Sequence, residues 1–159
     1  MHKSWIVFEE WTPSAPSSLE VHADVFSGEE GELLPVLNMQ WKVATDASIQ
    51  FLGGVELSVL QVNSNRQVCA QFDFQNKLPY QVRPDDGRPW NFSFNHFVVQ
   101  PGLTYQVTVY HLPKLGTDGD QNSKSKPYTV PGCMDPAMKM TEPCLQRGKP
   151  HALDLDNPE

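Results

Sequence analysis

Apolar and polar residues alternate with a period of two along most of this chain, the signature of strands with one buried face. Leu19, Val21, Ala23 and Val25 share a side against Glu20, His22 and Asp24. Leu37, Met39, Trp41 and Val43 do the same against Asn38, Gln40 and Lys42, with Trp41 as a core anchor. A short strand is expected at Ile49–Phe51, broken by Gly53 and Gly54. Val55–Val62 and Gln67–Phe74 are two apolar runs joined by Asn63-Ser64-Asn65-Arg66, which reads as a hairpin. In the second run Val68, Ala70, Phe72 and Phe74 are expected to face the core, which leaves Cys69 on the polar side. Trp90, Phe92, Phe94 and His96 alternate with Asn91, Ser93 and Asn95. Tyr105, Val107 and Val109 alternate with Gln106 and Thr108, and Tyr128-Thr129-Val130 reads as the last strand.

Such a succession of short strands predicts an all-β antiparallel sandwich. Pro101-Gly102 makes a corner just before Tyr105. A tyrosine entering a penultimate strand after such a corner is the tyrosine-corner arrangement of immunoglobulin-like sandwiches, whose hydroxyl bonds back to upstream backbone. The fold expected is therefore fibronectin-III-like. It occupies residues 19–131, after an N-terminal arm at 1–18 that carries Trp5, Ile6 and Trp11 and a Pro/Ser run. An exit linker follows at 132–144, with one helical turn expected at Met134–Met140. Residues 145–159 lack apolar periodicity and read as a disordered tail.

Composition narrows the function. Across 159 residues the formal net charge is -7, which excludes the basic face that nucleic-acid binding requires. No run of about 18 apolar residues is present to span a bilayer, and Met1–Trp11 is too acidic and too poor in apolar residues for a secretory leader. A chain whose leader has been removed, or a truncated form, is the expectation. Neither a nucleophile-base set, nor a phosphate-binding glycine loop, nor metal-ligand spacing of the five His is visible. Asp118-Gly119-Asp120-Gln121-Asn122 resembles half a calcium loop but lacks a glycine at the required position and the closing Glu, so a solvated loop is expected and no metal. The expectation is a non-catalytic binding module without cofactors. Asn91-Phe92-Ser93 is a glycosylation sequon, and the alternation points Asn91 outward. Of three Cys, Cys133 and Cys144 could close a short loop, while Cys69 sits on a polar face.

Several runs together resemble the first ectodomain module of the interleukin-17 receptor family. They are Asp46-Ala47-Ser48-Ile49, Glu56–Gln61, Phe94–Val99, Val107–Lys114 and Asp118–Asn122, in order and with similar gaps, between about Ser4 and Cys144. The resemblance implies an extracellular fibronectin-III-like module of a single-pass receptor. Its partner would be a dimeric cystine-knot cytokine of the interleukin-17 family, with a second receptor chain as a further partner and no membrane contact from this segment. It places contacts at Trp5 and Ile6, at Asn63, Ser64, Asn65 and Arg66, and at Asp118 and Asp120. It pairs Cys133 with Cys144. In the family a Cys ahead of the Ser-Trp-Ile stretch staples the arm to the position of Cys69; here Met1-His2-Lys3 stands there, so Cys69 is expected to be an unpaired thiol. Arg66 also stands where the resemblance leads one to expect an acidic residue. The alternative is an adhesion-type or carbohydrate-binding sandwich without cytokine specificity.

Overall fold

The computed structural model describes residues 12–43, 51–73, 91–114 and 122–147. Trp5, Ile6, Ile49, Phe74, Trp90, Asp118, Asp120, the turn expected at Pro84–Gly87 and the tail beyond Arg147 lie outside these. Seven strands are described: β1 (Ser18–Ser27), β2 (Leu33–Lys42), β3 (Gly54–Gln61), β4 (Arg66–Asp73), β5 (Asn91–Val98), β6 (Thr104–Leu112) and β7 (Ser123–Thr129). One helix, α1 (Glu142–Arg147), follows them. The strands form a three-stranded sheet, β1-β2-β5, and a four-stranded sheet, β4-β3-β6-β7, with every pairing antiparallel. This is a fibronectin-III-like sandwich.

The period-two faces meet between the sheets. Leu19 and Val21 of β1, Leu37, Met39 and Trp41 of β2, and Val55, Leu57 and Val59 of β3 are buried together with Tyr105, Val107 and Val109 of β6. Their partners Glu20, His22, Gln40 and Lys42 face water.

The corner forms as the sequence predicts. Tyr105 is buried, and its hydroxyl accepts a 2.8 Å hydrogen bond from the Gln100 amide. Gly102 sits at φ 84°, where a side chain would be strained, and its amide reaches the carbonyls of Val130 and Pro131 at 3.0 and 3.1 Å. Tyr105→Phe removes only the hydroxyl and leaves the Gln100 amide without this acceptor. The expected loss is about 1 kcal/mol, rising to about 3 if that amide stays dry. Urea melts of the two proteins measure it; an unchanged midpoint would mean the corner bond contributes nothing.

Three expectations need correction. First, Val68 and Phe72 do not reach the core: they are 54% and 42% exposed, and every residue of β4 except the half-buried Ala70 is exposed. The reason is the unequal sheets. β1 packs over β7 at one side, so the fourth strand, β4, overhangs the three-stranded sheet at the other. Second, the alternation along β5 breaks. Leu37 pairs with Phe97 but Met39 with Phe94, a bulge at which His96 takes φ 66° and donates its amide to Asn38 Oδ1 at 2.9 Å. His96 thus turns outward and stacks on Phe26 at 3.9 Å between centroids, while Phe97 packs on the core in its place. Third, the helical turn expected at Met134–Met140 is a series of turns, and the helix lies later, at Glu142–Arg147. Leu145, Gln146 and Arg147 therefore belong to a helix and not to a disordered tail. Smaller differences also appear. Gly54 opens β3 rather than breaking a strand, and a Cβ there would meet the Phe72 carbonyl at 2.6 Å. Phe51 lies in a short 3₁₀ turn.

Candidate functional site

The β3–β4 hairpin gathers Asn63, Ser64, Asn65 and Arg66 at one tip, and all four are exposed. Asn65 takes φ 58°, a left-handed conformation that Asn tolerates better than most side chains. The Gln61 side-chain amide donates to Ser64 Oγ at 2.7 Å, and the Ser64 amide donates to the Gln61 carbonyl at 3.3 Å. At the base, the Val62 amide donates to the Thr104 carbonyl at 3.0 Å and ties the hairpin to β6. The tip is thus a preset shape on a rigid stem, with its polar ends free to meet a partner.

Behind the tip, the overhang of β4 opens the side of the sandwich. A groove of about 380 Å³ runs between β4 and β5, lined by Arg66, Gln67, Val68, Phe97, Val98 and Tyr105. Val62, Val68 and Val98 stand 48%, 54% and 53% exposed along or beside it, so apolar area is open to solvent next to the tip. Farther along, a notch of about 150 Å³ is walled by Trp41, Val55, Phe72, Phe92 and Phe94.

The exit segment reaches the same end of the molecule. Cys133 and Cys144 are disulfide-bonded. Arg147 donates to the Pro101 carbonyl at 3.3 Å and to Cys133 Sγ at 3.4 Å, which fastens α1 beside the corner. The hairpin tip adjoins the same corner through Val62 and Thr104.

The lead-in at residues 12–17 lies at the opposite end. There Asn122 donates its side-chain amide to the Pro13 carbonyl, and His111 Nδ1 donates to the Ser14 carbonyl at 2.7 Å. The Ser17 amide bonds the Lys42 carbonyl at 2.8 Å. Both ring and amide are buried, His111 to 1% and Asn122 to 2% exposure. The sequence reading assigned neither a role. A signal was present for His111, which continues the inward parity of Tyr105, Val107 and Val109. Asn122 lies within the stretch that imitates a calcium loop, and nothing local marks it as buried.

Of the other sequence-predicted positions, Cys69 is exposed on β4 opposite Ser58 and is free among the described residues. Asn91 is exposed at the start of β5. Trp5, Ile6, Asp118 and Asp120 lie outside the described residues. On the outer face of the three-stranded sheet, the Gln40 amide donates to Glu20 at 2.8 Å. That bond is the main cause holding the Glu20 carboxyl below its ordinary pKa, with His22 adding to it. Among the described residues, no group of three or more His, Cys, Asp or Glu is placed to hold a metal, and no helix is long and apolar enough to cross a membrane.

Comparison with known proteins gives the context for this surface. The chain is 45% identical over 145 residues to human interleukin-17 receptor A, covering 91% of this chain and 16% of that protein. It is 28% and 27% identical to mouse and human interleukin-17 receptor B, again over 91% of this chain and 29% of each relative. The chain thus spans less than a third of the curated relatives it matches. Residues 1–136 match the family described as "IL17RA/B, N-terminal domain". With that match over most of its length, this fibronectin-III-like chain belongs to the interleukin-17 receptor family, a family of receptors and not of enzymes.

Proposed function

We infer that this chain is the cytokine-binding module of an extracellular receptor ectodomain, and that its partner is a dimeric interleukin-17-type cytokine. The observation carrying this reading is the preset, exposed hairpin tip 63–66 beside an open groove that mixes polar side chains with exposed valines, in a chain of this receptor family. Interfaces draw most of their energy from a few desolvated anchors ringed by weaker polar contacts. The tip residues have the polar, adaptable character of such a rim, and Val62, Val68 and Val98 offer apolar area next to it. Trp5 of the arm supplies the aromatic anchor in this reading, and Asp118 and Asp120 a further contact region. The tip and the lead-in lie at opposite ends of strands eight or nine residues long, so a partner touching both spans about 25 Å.

The test is a binding panel of interleukin-17 dimers against the chain. Trp5→Ala is expected to cost about 2 kcal/mol or more of binding, roughly a thirtyfold loss. Asn65→Ala and Arg66→Ala should each cost less. Arg66→Glu, which reverses the charge at the tip, should reorder the preference among dimers. If no dimer binds at micromolar concentration, the reading gives way to an adhesion-type sandwich.

A further inference from the structure

We propose that Asn91 is an N-linked glycosylation site, and that the first sugar of its glycan lies in a polar cleft across the outer face of the three-stranded sheet. This rests on the extracellular part of the reading above, since the modification takes place in the secretory lumen. It does not depend on cytokine binding.

The sequon Asn91-Phe92-Ser93 supplies the covalent requirement: an asparagine amide with a hydroxyl two residues on. In the transfer, Asn91 Nδ2 attacks C1 of an oligosaccharide held on a lipid pyrophosphate. The Nδ2–C1 bond forms, the C1–O bond to the pyrophosphate breaks, the lipid pyrophosphate leaves, and Nδ2 gives up one proton. The folded geometry then has room for the product. Asn91 and Ser93 are both exposed, on the outward side of an edge strand.

The register places a polar floor beside the attachment point. Asn91 pairs with Lys42, which pairs with Ser18; Ser93 pairs with Gln40, which pairs with Glu20. These two rows cross all three strands. Ser18, Glu20, Gln40, Lys42 and Asn91 line a cleft of about 240 Å³ along them. That is below the roughly 300 Å³ at which sites for drug-sized ligands begin, a scale suited to one sugar ring. The hydroxyls and acetamide of N-acetylglucosamine both donate and accept. Glu20 offers carboxylate acceptors, Lys42 an ammonium donor and Gln40 an amide.

An unmodified cleft of this kind would be an ordinary solvated sheet face. What separates the two cases is position. Among the described residues β5 is an edge strand, paired on one side only, by β2. Such an edge invites pairing with another chain unless something blocks it. A bulky, hydrated group on its first residue blocks strand addition at that end.

The experiment expresses residues 1–159 behind a secretory leader in mammalian cells. Peptide mapping is expected to find an N-acetylhexosamine-based glycan on Asn91. It should be lost in Asn91→Gln and Ser93→Ala and kept in Ser93→Thr. Covering of the cleft is read by lysine acylation. Lys42 is expected to react at least threefold more slowly in the glycosylated protein than in Asn91→Gln or after enzymatic glycan removal from folded protein. Lys139, exposed elsewhere, should react equally in all. A bare Asn91, or a glycan that leaves Lys42 reactivity unchanged, overturns the proposal. Neither result bears on cytokine affinity, and failure to bind a cytokine would leave the glycan result intact.

Discussion

Trp41→Ala is expected to remove about 3–5 kcal/mol of stability, the range for emptying a buried aromatic site. Trp41 is 3% exposed and sits mid-sheet, between Leu19 of β1 and Phe92 of β5. Its ring lies 6.3 Å from that of Phe92, at a tilt of 34°. It also walls the 150 Å³ notch with Val55, Phe72 and Phe94, so truncation enlarges a gap that already exists. Domains hold only about 5–15 kcal/mol in total, and the variant should sit close to unfolding. Trp41→Phe is expected to cost less than half as much. Trp41 Nε1 is buried with no hydrogen-bond partner among the described residues, and an orphaned donor carries a penalty of about 1–3 kcal/mol that phenylalanine removes. Urea unfolding of the three proteins, followed by far-UV circular dichroism, gives both differences. A loss below about 1 kcal/mol for the alanine variant would show that Phe72 and Phe92 collapse into the space.

The core around Trp41 was legible in the sequence because Leu37–Lys42 of β2 alternates, as do the facing stretches Leu19–Val25 of β1 and Asn91–Asn95 of β5, ahead of the bulge. The tyrosine corner was legible for a different reason: Pro101, Gly102 and Tyr105 each have backbone or bonding demands that few other arrangements satisfy. The exposed tip could be read as the polar link between two apolar runs.

What could not be read is anything that depends on how the second sheet is placed. Alternation along β4 says that Val68 and Phe72 share a face. It does not say that β4 lies at the margin of the opposing sheet, where Phe72 meets Phe94 but both Val68 and Phe72 stay largely open to solvent, and that is why the groove, half of the candidate site, was missed. The bulge at His96 escaped for a related reason. A single left-handed residue reverses the parity of all that follows, and His96 is neither Gly nor Asn. Helix α1 was hidden by its length. Six residues, fewer than two turns, show no 3.6-residue period. Its end signals are ordinary in isolation: Glu142 in the first turn, Arg147 in the last, and Pro143 near the start.

Removing the Cys133–Cys144 bridge, as Cys133→Ala with Cys144→Ala, is expected to lower global stability by roughly 3 kcal/mol. The two residues are 11 apart, and closing a loop of that size in the unfolded chain accounts for this figure in the chain-entropy description. Alanine avoids burying a new hydroxyl at Cys144, which is 8% exposed. The effect should be global because the loop is not an appendage. Met138 and Cys144 belong to the same buried cluster as Leu37, Met39 and Val130. Thr141, fully buried, donates its hydroxyl to the Met138 carbonyl at 2.6 Å and accepts the Leu145 amide at 2.9 Å. Arg147 then joins α1 to Pro101, at the corner that orients Tyr105. Loss of the bridge therefore acts on the end of the sandwich that also carries the hairpin tip. The unfolding midpoint by intrinsic fluorescence, to which core Trp41 contributes together with Trp5, Trp11 and Trp90, and amide exchange at Met138 should shift together in the double variant. If exchange at Met138 accelerates while the fluorescence midpoint stays put, the exit segment is a separate unit that opens alone. The corner would then owe its rigidity to the Tyr105 bond and to Gly102, without help from the disulfide.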